Sequence, residues 1–173
     1  MVSNTNEQAL EASIEKALTG HCLEDQKIGI SDDPVAPYGV QHCGYLSGFP
    51  SDFNMQYALD DRFFWQFLED SQEQELAKLK KNNPGDWQRK ILERYDRLIK
   101  KHGVLHLLKK GLKVDDAHLN LMYPAPLASS SDKVKQNFAA NIFSCTRQLR
   151  YSLANPLQEI DMVLFINGIP IVT

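Results

Sequence analysis

Cysteine is scarce in this sequence. Cys22, Cys43 and Cys145 form an odd set with no disulfide spacing. That argues against a disulfide-stapled secreted domain and fits a reducing cytoplasm. No stretch approaches the roughly 18 apolar residues of a membrane span. The N-terminus lacks the basic-then-apolar pattern of a signal peptide. No Gly-rich loop ending in Lys-Ser or Lys-Thr is present, so these residues do not encode ATP binding. There is no internal repeat and no low-complexity tract.

What is present suits a globular fold. The 173 residues are 43% hydrophobic, enough for one domain, 1–173, with a real core. Charged residues make up 24%, which argues against global disorder. Met1 to Glu7 are polar, and a frayed end is expected there. The net charge of −3 argues by itself against a dedicated nucleic-acid binder. Its distribution says more. Residues 1–77 hold 3 basic and 14 acidic side chains, whereas 78–113 hold 12 basic and 3 acidic. The basic stretch is either the footprint of a polyanion or a solvated helix face.

Periodicity predicts an amphipathic helix over 7–18, with Leu10, Ile14, Ala17 and Leu18 on one face and Gly20 as its stop. Residues 21–52, rich in Gly, Pro, Asp and Ser, read as loop with at most short strands. One helix is expected from Leu59 to about Lys81, broken by Asn82-Asn83-Pro84-Gly85. Asp86 is a candidate N-cap for the next helix, which runs to His102 and turns Trp87, Ile91, Tyr95, Leu98 and Ile99 inward. Gly103 and Gly111 bracket a short helix at Leu105–Lys110. Residues 117–123 alternate as a strand would, and Lys133 to Phe138 read as helix. Ile142–Tyr151 reads as extended, Asn155-Pro156 as a turn and Ile160–Ile166 as an apolar strand. Asn167-Gly168 is a strong hairpin signal, with Ile169–Val172 returning. Early helices and late antiparallel strands predict an α/β or α+β fold.

Asp161 is the only charged residue between Ile160 and Thr173. A carboxylate at the mouth of a buried strand is costly unless paired, hydrogen-bonded or on a metal. Locally it can be read as a strand-start Asp that satisfies a turn. The surrounding words bear on the choice. They are Asn141, then Arg147-Gln148-Leu149-Arg150-Tyr151-Ser152, the Asp161 strand and Asn167-Gly168-Ile169-Pro170. Upstream stand Glu11-Ala12-Ser13-Ile14-Glu15, Ser51-Asp52-Phe53-Asn54, Ala58-Leu59-Asp60, Phe67-Leu68 and Ser71-Gln72. Gly103-Val104-Leu105, Leu108-Lys109-Lys110-Gly111-Leu112-Lys113 and Tyr123-Pro124-Ala125-Pro126 complete the series. In this order, from residue 7 onward, the chain closely resembles the N-terminal nuclease region of the type I restriction enzyme R (motor) subunit.

The resemblance implies a PD-(D/E)xK endonuclease with a restriction-endonuclease-like mixed sheet flanked by helices. It implies a catalytic Mg²⁺ ligated by an Asp, here Asp161, and by a Glu on the next strand, with a Lys two residues later. Hard carboxylate oxygens suit Mg²⁺, which polarises the scissile phosphate and activates water. The Glu-x-Lys is expected just beyond Thr173, so the sequence reads as truncated and 1–173 is expected not to cleave DNA. A plain two-residue turn at Asn167-Gly168 pairs Asp161 with the first residue after Thr173, one step out of register for that Glu. A bulge or a longer loop would correct it. Glu15 is a further metal candidate, or a solvated helix carboxylate. Gln148, Arg150 and Tyr151 could hold a DNA phosphate, or pack the sheet edge. Lys109, Lys110 and Lys113 are candidate DNA-backbone contacts.

As an intact subunit, the resemblance implies an ATP-dependent type I site-specific deoxyribonuclease. Its nuclease region would be joined to a helicase motor and work on double-stranded DNA with methylation and specificity subunits. One departure is a stretch at 20–43 that carries His21-Cys22 and His42-Cys43. Adjacent residues rarely both reach one ion, so an insertion is the simpler reading than zinc. Two rivals stay open: a non-catalytic DNA-docking or subunit-interaction module of the same fold, and another PD-(D/E)xK nuclease.

Overall fold

The computed structural model describes residues 4–22, 44–155 and 157–173. It shows a mixed α/β architecture, with helices concentrated in the N-terminal half. The main sheet has four strands in the order β1 (Leu46–Ser47), β6 (Phe143–Arg150), β7 (Glu159–Ile166) and β8 (Ile169–Val172). β1 runs parallel to β6, and the other neighbours are antiparallel. Two small ribbons accompany it: β2 (Phe53–Asn54) with β3 (Leu59–Asp60), and β4 (Leu112–Val114) with β5 (Ala117–Leu119).

Six helices surround these strands among the described residues. The first, α1 (Asn4–Thr19), packs on β6. The region expected as one helix from Leu59 to Lys81 is two, α2 (Asp61–Ser71) and α3 (Glu73–Asn82). The break at Gln72 has a physical cause. Its buried side-chain amide accepts from Asn120 N at 2.6 Å and donates to Asn120 O at 2.8 Å, a strand-like pairing that holds the residue at φ −142°. Then come α4 (Trp87–His102), α5 (Val104–Lys110) and α6 (Asp132–Ala139). Gly103 and Gly111 end α4 and α5 as expected, at φ 80° and 71°. Asp86 occupies the N-cap of α4, but its carboxylate makes no cap bond and pairs with Arg89 instead.

The main core joins α2 (Phe64, Phe67, Leu68), α3 (Leu76, Leu79) and α4 (Ile91, Tyr95) to the tip of the C-terminal hairpin (Ile166, Ile169). Each fully buried Leu, Ile or Phe contributes on the order of 1.5–3 kcal/mol. Two sequence expectations are corrected. The strand at 117–123 ends at Leu119, and its partner β4 was not anticipated. The apolar stripe of α1 also faces outward, with Leu10, Ile14 and Ala17 exposed. Burial of Glu15 and Thr19 shows that the polar side of α1 is the one that packs.

The hairpin turn is built as its residues demand. Asn167 and Gly168 both have positive φ, 51° and 76°, as a two-residue turn matched to strand twist requires. Gly168 lies so close to α2 that a Cβ there would sit 2.4 Å from Asp60 O. Asn167 is fully buried; it accepts from Ile142 N at 2.7 Å and donates to Leu121 O at 2.9 Å and Asn141 Oδ1 at 3.0 Å. Asn141 in turn exchanges bonds with the backbone of Tyr123 at 2.9 and 2.8 Å. Past the turn, β8 carries a bulge. Phe165 pairs with Pro170 but Leu164 pairs with Val172, which leaves Ile171 as the extra residue.

A candidate nuclease site beside Asp161

Asp161 is exposed on β7 and makes no hydrogen bond or ion pair with the described residues. It lines a concavity of about 180 Å³ with Glu7, Gln8 and Glu11 of α1, Gln148 of β6 and Glu159. The lining is dominated by carboxylate and amide oxygens, the donor type a hard divalent cation takes. Among the described residues, though, no three His, Cys, Asp or Glu side chains stand close enough together to hold a metal ion.

Gln148 stands opposite Asp161, between the pairs Arg147–Met162 and Leu149–Ile160. Its φ is +53°, a left-handed conformation uncommon for a non-glycine residue in a strand. The consequence is a switch of faces. In a regular strand Arg147 and Leu149 would share a side. Here Arg147 reaches α1, while Leu149 packs with Val163 and Phe165 on the other side. Ile160 joins that same cluster, although alternation along β7 would separate it from Val163. Gln148 and Asp161 thus mark the point where both strands change face. Backbone strain of this kind costs on the order of 1–3 kcal/mol and concentrates at functional sites.

Behind the concavity lies a buried charge cluster. The Arg147 side chain is 0% exposed. Its Nη1 donates to Glu15 Oε2 at 3.1 Å, and its Nε and Nη2 donate to Glu11 Oε2 at 3.3 and 2.9 Å. Glu15, named from sequence, is therefore 2% exposed and held by Arg147. Glu11, one turn earlier and not singled out, lines the concavity and meets Arg147 through one oxygen only. Its signal was its i,i+4 spacing from Glu15, which sets both on one helix face. Cys145, on the same strand, has its thiol pushed up to about 12, chiefly by burial and next by the negative charge of Glu15.

The other residues named from sequence are dispersed. Arg150 is exposed and pairs with Glu159 at 3.5 Å at the rim, and Tyr151 is exposed where β6 ends. Lys109 and Lys110 end α5, and Lys113 lines a separate groove with Lys90, Arg94 and Arg97. None of the three lysines lines the Asp161 concavity. Of the two His-Cys pairs, His42-Cys43 lies outside the described residues, as does most of the stretch at 20–43. Cys22 is buried.

The bulge shifts the register of the hairpin by one residue. With Leu164 opposite Val172, Val163 falls opposite Thr173. The same ladder carried forward sets Asp161 opposite the second residue beyond Thr173, three places past the end of β8 at Val172, instead of the first.

No helix among the described residues is long and apolar enough to cross a membrane. No curated protein and no solved structure matches the chain. The family model described as type I restriction enzyme R protein N terminus matches residues 54–173, more than half of the chain, including β7, its Asp161 and the Asn167-Gly168 hairpin. The chain belongs to the N-terminal family of type I restriction enzyme R proteins.

Proposed function

We propose that this chain is the nuclease region of an R subunit of an ATP-dependent type I site-specific deoxyribonuclease, with Asp161 as its first metal ligand. The observation that carries the reading is the bulge at Ile171. It moves the β7–β8 ladder on by one residue, the register in which a Glu two residues past Thr173, followed by a Lys two residues later, would stand beside Asp161. Asp161, that Glu and Glu11 would hold Mg²⁺. The bound ion supplies charge neutralisation at the scissile phosphate and an activated water. Gln148 is placed to orient a phosphate or a water beside Asp161, and Arg150 to meet the DNA backbone at the rim. The fold is read as restriction-endonuclease-like, and the domain as extending over 1–173. The intact subunit works in the cytoplasm on double-stranded DNA, joined to its helicase motor and to the methylation and specificity subunits.

The test is cleavage of plasmid DNA with Mg²⁺ and ATP by the assembled enzyme carrying Asp161→Ala. Loss of cutting with translocation and ATP hydrolysis intact is expected, and wild-type cutting would end the proposal. Residues 1–173 alone are expected not to cut. A second reading, a docking module without chemistry, is favoured by the absence of a three-ligand group among the described residues. Full cutting activity in the Asp161→Ala enzyme is the result it requires.

A further inference from the structure

We infer that α4 and β4 form a second, phosphate-tracking surface for duplex DNA, separate from the concavity at Asp161. That the polyanion is DNA rests on the function proposed above; the surface itself rests on the geometry of the basic segment.

Lys90, Arg94, Arg97 and Lys101 recur at helical spacings of four, three and four residues, so they form one stripe along α4. The stripe runs for roughly 16 Å at the rise of an α-helix. Ile91 and Tyr95, each one residue on from a stripe position, anchor the adjacent face of α4 in the core, which leaves Lys90 and Arg94 half-buried and Arg97 and Lys101 exposed. β4 lies alongside and adds Lys113, with Val114 as part of the floor. Lys90, Arg94, Arg97 and Lys113 line a groove of about 380 Å³ with Glu93 and Asp115.

The neighbouring carboxylates are largely committed elsewhere. Asp86 and Glu93 both pair with Arg89, at 3.2 Å each, and Asp96 pairs with Lys100 at 2.8 Å. Asp115 takes Lys90 at 3.3 Å and also accepts from Asn83 at 2.9 Å. Among the described residues, Arg97, Lys101 and Lys113 have no carboxylate partner. Arg94 Nε donates to Lys113 O at 3.3 Å, a backbone contact that orients its guanidinium without neutralising it. A groove with one oriented guanidinium, Arg94, beside the unpaired cations Arg97 and Lys113 suits the sugar-phosphate backbone, which such contacts bind without reading sequence. The Asp161 concavity contrasts with it, because Glu7, Glu11 and Glu159 surround Asp161 with negative charge.

The experiment is fluorescence anisotropy with the 173-residue chain and a labelled duplex of roughly 30 base pairs, in EDTA, over a salt series. The double variant Arg94→Gln/Arg97→Gln is expected to bind about tenfold more weakly, with a salt slope shallower by about 2. Arg94 touches the backbone of β4, so Arg97→Gln/Lys101→Gln is the companion variant, with both changes at exposed positions. Lys133→Gln/Lys135→Gln on α6 removes equal charge elsewhere and is expected to leave affinity and slope unchanged. Parental affinity in both α4 variants, or an equal loss in the α6 variant, overturns the proposal. So does tighter binding to poly-glutamate than to the duplex, which would assign the groove to an acidic protein surface. Since no metal is present in this assay, a failure here leaves the nuclease reading untouched, and the reverse holds for the cleavage test.

Discussion

Arg147, with its guanidinium wholly out of solvent, clasps Glu15 at 3.1 Å, and this bond explains why α1 packs by its polar side. The buried guanidinium is shared between the carboxylates of Glu11 and Glu15, so α1 is held by electrostatics and hydrogen bonding more than by its apolar stripe. The same clasp draws Glu11 down beside Asp161.

Breaking the cluster from one side should be costly. Arg147→Met removes the guanidinium that both Glu11 and Glu15 accept from and is expected to lose about 3–5 kcal/mol of stability. Adding Glu11→Gln and Glu15→Gln to it should recover a large part of that loss. Urea denaturation followed by circular dichroism measures both, and equal stability of single and triple variants would show that the cluster acts independently of its charge balance.

The Asn167-Gly168 turn is predicted to be intolerant of small changes. Asn167→Ala strips acceptors and donors from Ile142 N, Leu121 O and Asn141 and places a Cβ-bearing residue without local polar support at φ 51°. A loss of about 3 kcal/mol or more is expected from the unsatisfied buried groups. Gly168→Ala meets Asp60 O and Phe64 N at 2.4 and 2.6 Å, both backbone, and should unseat the hairpin from α2. Thermal melts of the two variants test this; melting within a few degrees of the parent, on the scale of about 1 kcal/mol, would contradict it.

Asp60 predicts a pH dependence. Its carboxyl is raised from 3.8 to about 6, first by burial, against the opposing bond from Phe63 N. Below the unfolded value both states hold the proton. Between 3.8 and about 6 the folded protein keeps a proton that the unfolded chain has released, so stability falls as pH rises through that window. Asp60→Asn keeps an oxygen acceptor for Phe63 N and removes the charge. It should therefore stabilise the protein above pH 6, by on the order of 2 kcal/mol, and lose its advantage near pH 4. Denaturation midpoints over that range decide it.

Gln148 is expected to exchange stability for function. Gln148→Gly relieves the left-handed backbone at φ 53° and should gain about 0.5–1 kcal/mol. In the assembled enzyme the same change should lower DNA cleavage, because Gln148 faces Asp161. A variant both less stable and fully active would show that the strained conformation has no role at the site.

The buried thiol of Cys145, pushed up to about 12, should resist alkylation in the native state. Mass-spectrometric mapping after iodoacetamide treatment should find Cys145 modified only on unfolding. Rapid labelling of the folded chain would contradict its enclosure.

Much was written in the sequence. Glycines at the ends of α4 and α5, the inward Ile91 and Tyr95, the β6 and β7 strands and the Asn-Gly turn all follow from local rules of φ, capping and alternation. So did the family, because its words are short, ordered segments. What local rules do not contain is long-range pairing. Gln72 breaks a helix because its amide finds Asn120, 48 residues away. The hydrophobic period of α1 points to Leu10 and Ile14, yet the opposite face packs, because the partner that decides is Arg147, more than 130 residues away. The bulge at Ile171 is likewise a property of two strands together. Sequence alone determined that Asp161 stands at the head of a buried strand. The tertiary structure decided that Glu11 rather than Glu15 shares its concavity, that Gln148 faces it, and that the lysines of the basic segment do not, since each depends on which elements, distant in sequence, pack side by side.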